Sequence, residues 1–216
     1  MGQLIDLSHP IQDGQAAFPP DPPIRIETTK TVASDGFYFS EIFLGSHHGT
    51  HLDAPFHFLP DAPTLDRIPL DRFYGPCRLV DLAPGGNLPP QTPLTLDMLL
   101  PHADSFVSGQ RVILRTGWYE QFGNPGYFTA LPSLSAEAAR WIAATGIVLL
   151  GMDMPTPSLD EATETHHALL GAGIVVVEGL NNLHRLPAEF LFVGFPLNFV
   201  GGDGSPIRAV AVTMDT

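Results

Sequence analysis

The chain has 216 residues, 44% of them hydrophobic and 15% charged, which is enough apolar material for one folded domain and excludes a disordered chain. A formal net charge of −13, with only ten Lys and Arg, excludes the basic footprint of a nucleic-acid binder and opposes binding to an anionic membrane surface. The single cysteine, Cys77, rules out an intrachain disulfide, and no apolar run is long enough for a membrane helix, so a cytoplasmic protein is expected.

The 22 prolines and 21 glycines are scattered along the chain, which predicts many turns and a strand-rich α+β domain spanning residues 1–216. Residues 4–8 read as a first strand. The proline-rich stretch 10–23 reads as a loop, in which Phe18 either lies over a site or pins the loop to the core. Residues 24–33 alternate as a half-buried strand does, 34–36 form a turn, and 37–44 form a second strand, so the two make a hairpin. Further strands are expected at 78–82, where Cys77 is a buried thiol, at 111–115 and at 147–152. Residues 95–100 suggest a helical turn. Trp118, Tyr119, Phe122 and Tyr127 pack beneath the 117–132 loop. Ser135 is an N-cap for a helix that Gly146 ends. A second helix covers 159–170. The run 174–177 is a core strand that ends on Glu178, and strands at 190–195 and 207–213 are separated by a turn at Gly201–Gly204. His9, His102 and His184 stand in turn-like or polar contexts and are read as surface residues.

Four of the nine histidines fall within residues 47–57, together with one aspartate. Imidazole fills a core poorly unless both nitrogens find partners, whereas His and Asp side chains bind divalent metals. His47, His51, Asp53 and His57 have even spacings, which would place them on one strand face. Gly49 and Pro55 argue against one regular element, so the expected geometry is a strand end followed by a tight turn that folds the side chains inward. Two His and a carboxylate leave room for water and substrate. Glu178 follows four apolar residues and needs a cation if it is inside; His166 or His167 could join it around one or two ions. The chain has no Gly-x-Ser-x-Gly nucleophile elbow and no phosphate-cradling glycine loop.

The stretch reads H-x-G-T-H-x-D-x-P-x-H and resembles the signature of the metal-dependent cyclase family, which includes bacterial kynurenine formamidase and isatin hydrolase. The resemblance extends to Leu-Ser-His-Pro near the start, Leu-Arg-Thr-Gly-Trp at 114–118, the segment from His166 to Glu178, and Gly-Gly-Asp-Gly-Ser-Pro-Ile-Arg near the end. It implies a swivelling β/β/α fold in a homodimer or larger homo-oligomer. It implies His47, His51 and Asp53 as ligands to one metal, with Asp53 and Glu178 bridging to a second that His166 completes. His167 is then a neighbour. His57 is the implied general acid/base, and Phe18 stands where formamidases place a tryptophan over the substrate. The implied ion is Zn²⁺, with Mn²⁺ as the alternative. The implied activity is hydrolysis of a small aryl formamide, N-formyl-L-kynurenine, to kynurenine and formate in tryptophan catabolism. Ring opening of isatin or a related cyclic amide is the alternative, and a non-catalytic metal- or ligand-binding protein of the same fold is a second.

Overall fold

The computed structural model describes residues 2–213. Its strands are β1 (Leu4–Asp6), β2 (Arg25–Lys30), β3 (Phe39–Phe43), β4 (His51–Asp53), β5 (Tyr74–Asp81), β6 (Pro93–Leu94), β7 (Arg111–Arg115), β8 (Ser133–Leu134), β9 (Leu149–Met152), β10 (Val175–Glu178), β11 (Glu189–Val193), β12 (Gly204–Pro206) and β13 (Val210–Val212). The α-helices are α1 (Val32–Asp35), α2 (Leu96–Leu99), α3 (Ala136–Thr145) and α4 (Ala162–Gly171). The result is a mixed, strand-rich fold, as the composition predicts.

Nine strands form one sheet in the order β1-β13-β11-β5-β7-β9-β10-β4-β12. The block β5-β7-β9-β10 is parallel, and the flanking pairs are antiparallel. β12 is the last strand at one end, yet only three residues separate it from β13 near the other. The four steps from Pro206 to Val210 span about 14 Å at most. The sheet must therefore curl until its ends approach, and the Leu7 amide donates to the Ala209 carbonyl where they do.

Curling buries the central strands on both faces. Inside the curl, Ile5, Leu7, Leu52, Ile113, Val175, Val177 and Phe192 pack together with Cys77, whose thiol burial pushes up in pKa. On the outer face, Val112, Leu114, Leu150 and Val176 meet Ala138, Ala139 and Ile142 of α3 and Leu169 and Leu170 of α4. Neighbouring residues of one strand thus enter different cores, which is why these strands read as continuous apolar runs. The Ser135 hydroxyl caps α3 by accepting from the Ala138 amide, and Gly146 ends it in the left-handed region at φ 79°. Trp118, Tyr119 and Tyr127 are buried as expected, with the Trp118 indole donating to the Tyr127 carbonyl.

Three expectations need correcting here. The β2–β3 hairpin forms, but neither strand is half-buried: it pairs only with itself, and Phe37, Tyr38, Phe39, Ile42 and Phe43 are exposed. The Gly201–Gly204 turn runs into a strand, β12, that extends the main sheet beside β4. His9 is buried: it lies one residue after a bridge between Ser8 and Leu180, and stacks on Phe122 with ring centres 3.8 Å apart. Burial lowers its pKa to about 4. His184 is at the surface, sharing a hydrogen bond with the Tyr119 hydroxyl, and His102 is half-buried.

Candidate metal centre

The histidine stretch follows the expected strand end and tight turn, with β3 ending at Phe43, and adds a second strand after the turn. The turn lies at residues 45–50, and the strand β4 follows it. His48 holds that turn: its Nδ1 accepts from the Gly45 amide, and its ring is buried away from the other histidines' polar contacts. β4 lies antiparallel to β10 with Glu178 opposite His51 and Val176 opposite Asp53. Side chains alternate along a strand, so His51, Asp53 and Glu178 share the outer face while Leu52 and Val177 enter the inner core. α4 covers that outer face and brings His166, with His167 left exposed. His47 reaches in from the turn before β4, and His57 from the 3₁₀ turn Pro55–His57 after it. Five of the six predicted polar residues therefore come from one strand pair and the turns that flank β4, and the sixth from the helix above it.

The distances are short. His51 Nε2 lies 3.2 Å from Glu178 Oε2 and 3.5 Å from Asp53 Oδ1. His166 Nε2 lies 3.4 Å from Glu178 Oε1 and 3.7 Å from Asp53 Oδ2. His47 Nδ1 lies 2.7 Å from Asp53 Oδ1. The far nitrogens of two rings are engaged by backbone: His51 Nδ1 donates to the Gly49 carbonyl at 3.0 Å and His166 Nδ1 to the Ala162 carbonyl at 2.6 Å. Those bonds turn both Nε2 atoms toward the carboxylates, in the manner of outer-shell partners that fix a ligand's tautomer.

Charge explains what this pocket requires. Asp53 Oδ2 and Glu178 Oε1 are buried with no hydrogen-bond partner. Burial opposes a charged Asp53, but the His47 hydrogen bond and the charges of His47, His51 and His166 outweigh it and hold its pKa below the usual carboxylate range. Burial likewise opposes the imidazolium forms, yet Asp53 and Asp203 raise His47 to about 9, and Glu178 drives His51 and His166 upward. Burial lowers His57. Buried carboxylates drawing protons onto three imidazoles is the behaviour of a site that wants positive charge. Two orphaned oxygens facing the Nε2 atoms of two oriented rings fit a divalent cation, and His47, Asp53 and His57 could form a second three-ligand group beside His51, Asp53 and Glu178.

An open cavity of about 300 Å³ lies over these residues, lined also by Phe18, Asp21, Phe58 and Thr156. Phe18 meets Phe128 edge-on at 5.9 Å, and through it the proline-rich loop contributes an aromatic side chain to the cavity wall. A larger cavity of about 550 Å³ near the start of α3 has no histidine in its lining. Asp203 escaped the sequence reading. Its Oδ2 accepts from His47 Nε2 at 2.9 Å and lies 3.7 Å from His57 Nδ1. The run Gly-Gly-Asp-Gly-Ser-Pro belongs to the family resemblance, but its composition reads as turn chemistry and gives Asp203 no role.

A family model described as "Putative cyclase" matches residues 5–161, most of the chain. The chain belongs to the cyclase family. Among its cyclase-family relatives, the kynurenine formamidase of Bordetella avium (strain 197N) is 32% identical over 97% of this chain and 98% of its own, and that of Salinibacter ruber is 31% identical over 96% of each. An isatin hydrolase solved with the product analogue thioisatinate shares the cyclase fold, with a TM-score of 0.88 at 24% identity over 99% of this chain and 93% of its own.

Proposed function

We propose that this protein is a metal-dependent amidohydrolase, and that its first substrate class is an aryl formamide of the N-formyl-L-kynurenine type. The observation that carries the metal is the pair of buried, unpartnered oxygens of Asp53 and Glu178 among His47, His51 and His166. These five residues would hold one divalent ion or two, Zn²⁺ first and Mn²⁺ as the alternative, since imidazole and carboxylate suit both. Such an ion supplies Lewis acidity, lowering the pKa of water from about 16 towards about 7 and polarising a carbonyl.

The chain's residues do the rest. His57 stacks on His47 at 3.8 Å and lines the cavity. Its lowered pKa leaves it a neutral base at pH 7, able to take a proton from water attacking the formyl carbon. The C–N bond then breaks, the proton passes from His57 to the leaving aryl nitrogen, and formate is the second product. Phe18 provides an aromatic face against the ring, and the cavity of about 300 Å³ suits one substituted aromatic ring.

Names of the relatives support the substrate: formamidases match along the full length at about 30% identity. A second reading, opening of an isatin-type lactam, is favoured by the backbone likeness to isatin hydrolase. Both break an amide on an aryl nitrogen. Hydrolysis of N-formylkynurenine and of isatin by one metal-loaded preparation separates them: faster formamide cleavage is expected, and isatin opening alone would promote the second reading. A metal-loaded protein inert to both would overturn the two together. We also propose a homo-oligomer, which the exposed apolar hairpin supports.

A further inference from the structure

His47 is gripped from two directions. Nδ1 faces Asp53 Oδ1 at 2.7 Å, and Nε2 meets Asp203 Oδ2 at 2.9 Å. An imidazole that binds a metal uses one nitrogen and keeps a proton on the other, and the partner of that proton fixes the ring. Asp203 is well placed to be that partner. It is itself fixed: its carbonyl accepts from the Ala54 amide at 2.8 Å, and its carboxylate accepts from the Ser46 hydroxyl at 3.3 Å.

The next residue makes room for the ring. Gly204 sits directly opposite Asp53 in the β12–β4 register. A Cβ on it would come within 2.5 Å of His47 Cε1 and 2.8 Å of the Leu52 carbonyl oxygen. The backbone at that point leaves a slot that the His47 ring fills. The same Asp203 oxygen stands 3.7 Å from His57 Nδ1, so one carboxylate faces both histidines.

We propose that Asp203 and Gly204 form a positioning element for His47: Asp203 holds the Nε2 proton, Gly204 leaves the slot, and Nδ1 is thereby presented on the Asp53 side as the metal-binding nitrogen. Asp203 acts through His47 and is not a ligand. This rests on the reading of His47 as a ligand.

The test is metal affinity, measured by titrating Zn²⁺ and Mn²⁺ into the stripped full-length protein against a chromophoric chelator. Wild type, H51A, D203A, D203N and G204A are compared, with folding checked by circular dichroism. D203A and G204A should each bind about tenfold to hundredfold more weakly than wild type. D203N should keep most of the affinity, because its amide oxygen still accepts from Nε2. Should D203A not fold, Asp203→Ser keeps a polar turn residue too short to reach Nε2 and carries the same expectation. If H51A loses metal while D203A binds like wild type, the inference falls and the ligand reading stands. If D203N is as weak as D203A, Asp203 is a ligand and the positioning role is wrong. If wild type binds neither ion, the ligand reading fails and takes this one with it.

Discussion

Asp53 and Glu178 each carry an energetic liability. A buried carboxylate oxygen without a partner costs free energy that water would otherwise supply, and removing its counter-charge is more damaging than removing the carboxylate itself. Asp53→Ala is therefore expected to abolish tight metal binding, as read by metal content per chain after dialysis; full retention would sink its assignment as a ligand. His57→Ala should lower kcat about a hundredfold to ten-thousandfold and leave metal content intact. Parallel loss of metal and activity would instead make His57 a ligand, an outcome the His47–Asp53–His57 grouping makes worth measuring. His9 gives a prediction outside the site. Burial lowers its pKa to about 4, below the unfolded value of about 6.5, so the unfolded chain binds a proton that the native one refuses. Its contribution is present in full above about pH 6.5 and is lost as pH falls towards 4, by up to about 3 kcal/mol. His9→Phe keeps the stack on Phe122 and should flatten the stability profile across that window. Identical urea-unfolding profiles for the two proteins from pH 7 to 4 would refute it. At this scale the sequence was legible where residue types crowd together, as in 47–57. His9 and Asp203 stand in segments that carry the resemblance, but their burial and partners were illegible, because a single side chain in a turn carries no sign of the distant strand that buries or recruits it.

At the scale of elements, the site is a product of register. The pairing of β4 with β10 puts Glu178 across from His51, and a slip of one residue would send Leu52 and Val177 to the polar side. Gly179 secures the exit from β10 at φ 64°, and a Cβ there would lie 3.0 Å from the Gly49 carbonyl oxygen, the acceptor for His51 Nδ1. Gly179→Ala should cost about 1–2 kcal/mol of stability and also weaken metal binding, since it presses on the group that aims His51. Unfolding in denaturant and chelator competition measure the two effects. A variant with normal affinity would separate the turn from the site. The long apolar strands and α3 could be read in advance because period, cap and stop all agree, as Ser135 and Gly146 illustrate. The three-residue strands β4 and β12 could not, because they lie in a histidine cluster and a glycine-rich run, whereas the equally short β1 and β13 lie in apolar stretches. A different limit applies to β2 and β3: alternation signalled strands, but nothing local said that no core lies against either face.

For the molecule as a whole, proton binding and metal binding are linked through the same imidazoles. His47 at about 9, with His51 and His166 also raised, holds charge at pH 7 that an incoming cation must displace. Calorimetry at pH 7 in buffers of different ionisation enthalpy should give about one proton or more released per ion, with affinity falling as pH is lowered. Binding without buffer dependence would contradict the charge reading. The exposed hairpin predicts association: Tyr38 is 70% and Ile42 56% exposed on a two-stranded sheet separate from the main one, and light scattering should report a mass above 23.3 kDa. A monomer that stays monomeric at high concentration would leave those side chains unaccounted for.

The division of labour between sheet and loop has a practical consequence. His51, Asp53 and Glu178 are fixed by the strand register, whereas Phe18 arrives on a proline-rich segment that pairs with none of those strands. On the proposed reading, selectivity is carried by the loop and reactivity by the strand pair. Exchanging residues 12–23 for the equivalent stretch of a relative, with Ile11 kept where it packs beside Gly49, is then expected to change which amide is admitted while β4 and β10 keep the ligand set in place, so new specificities can arise, in the laboratory or in descent, without rebuilding the catalyst.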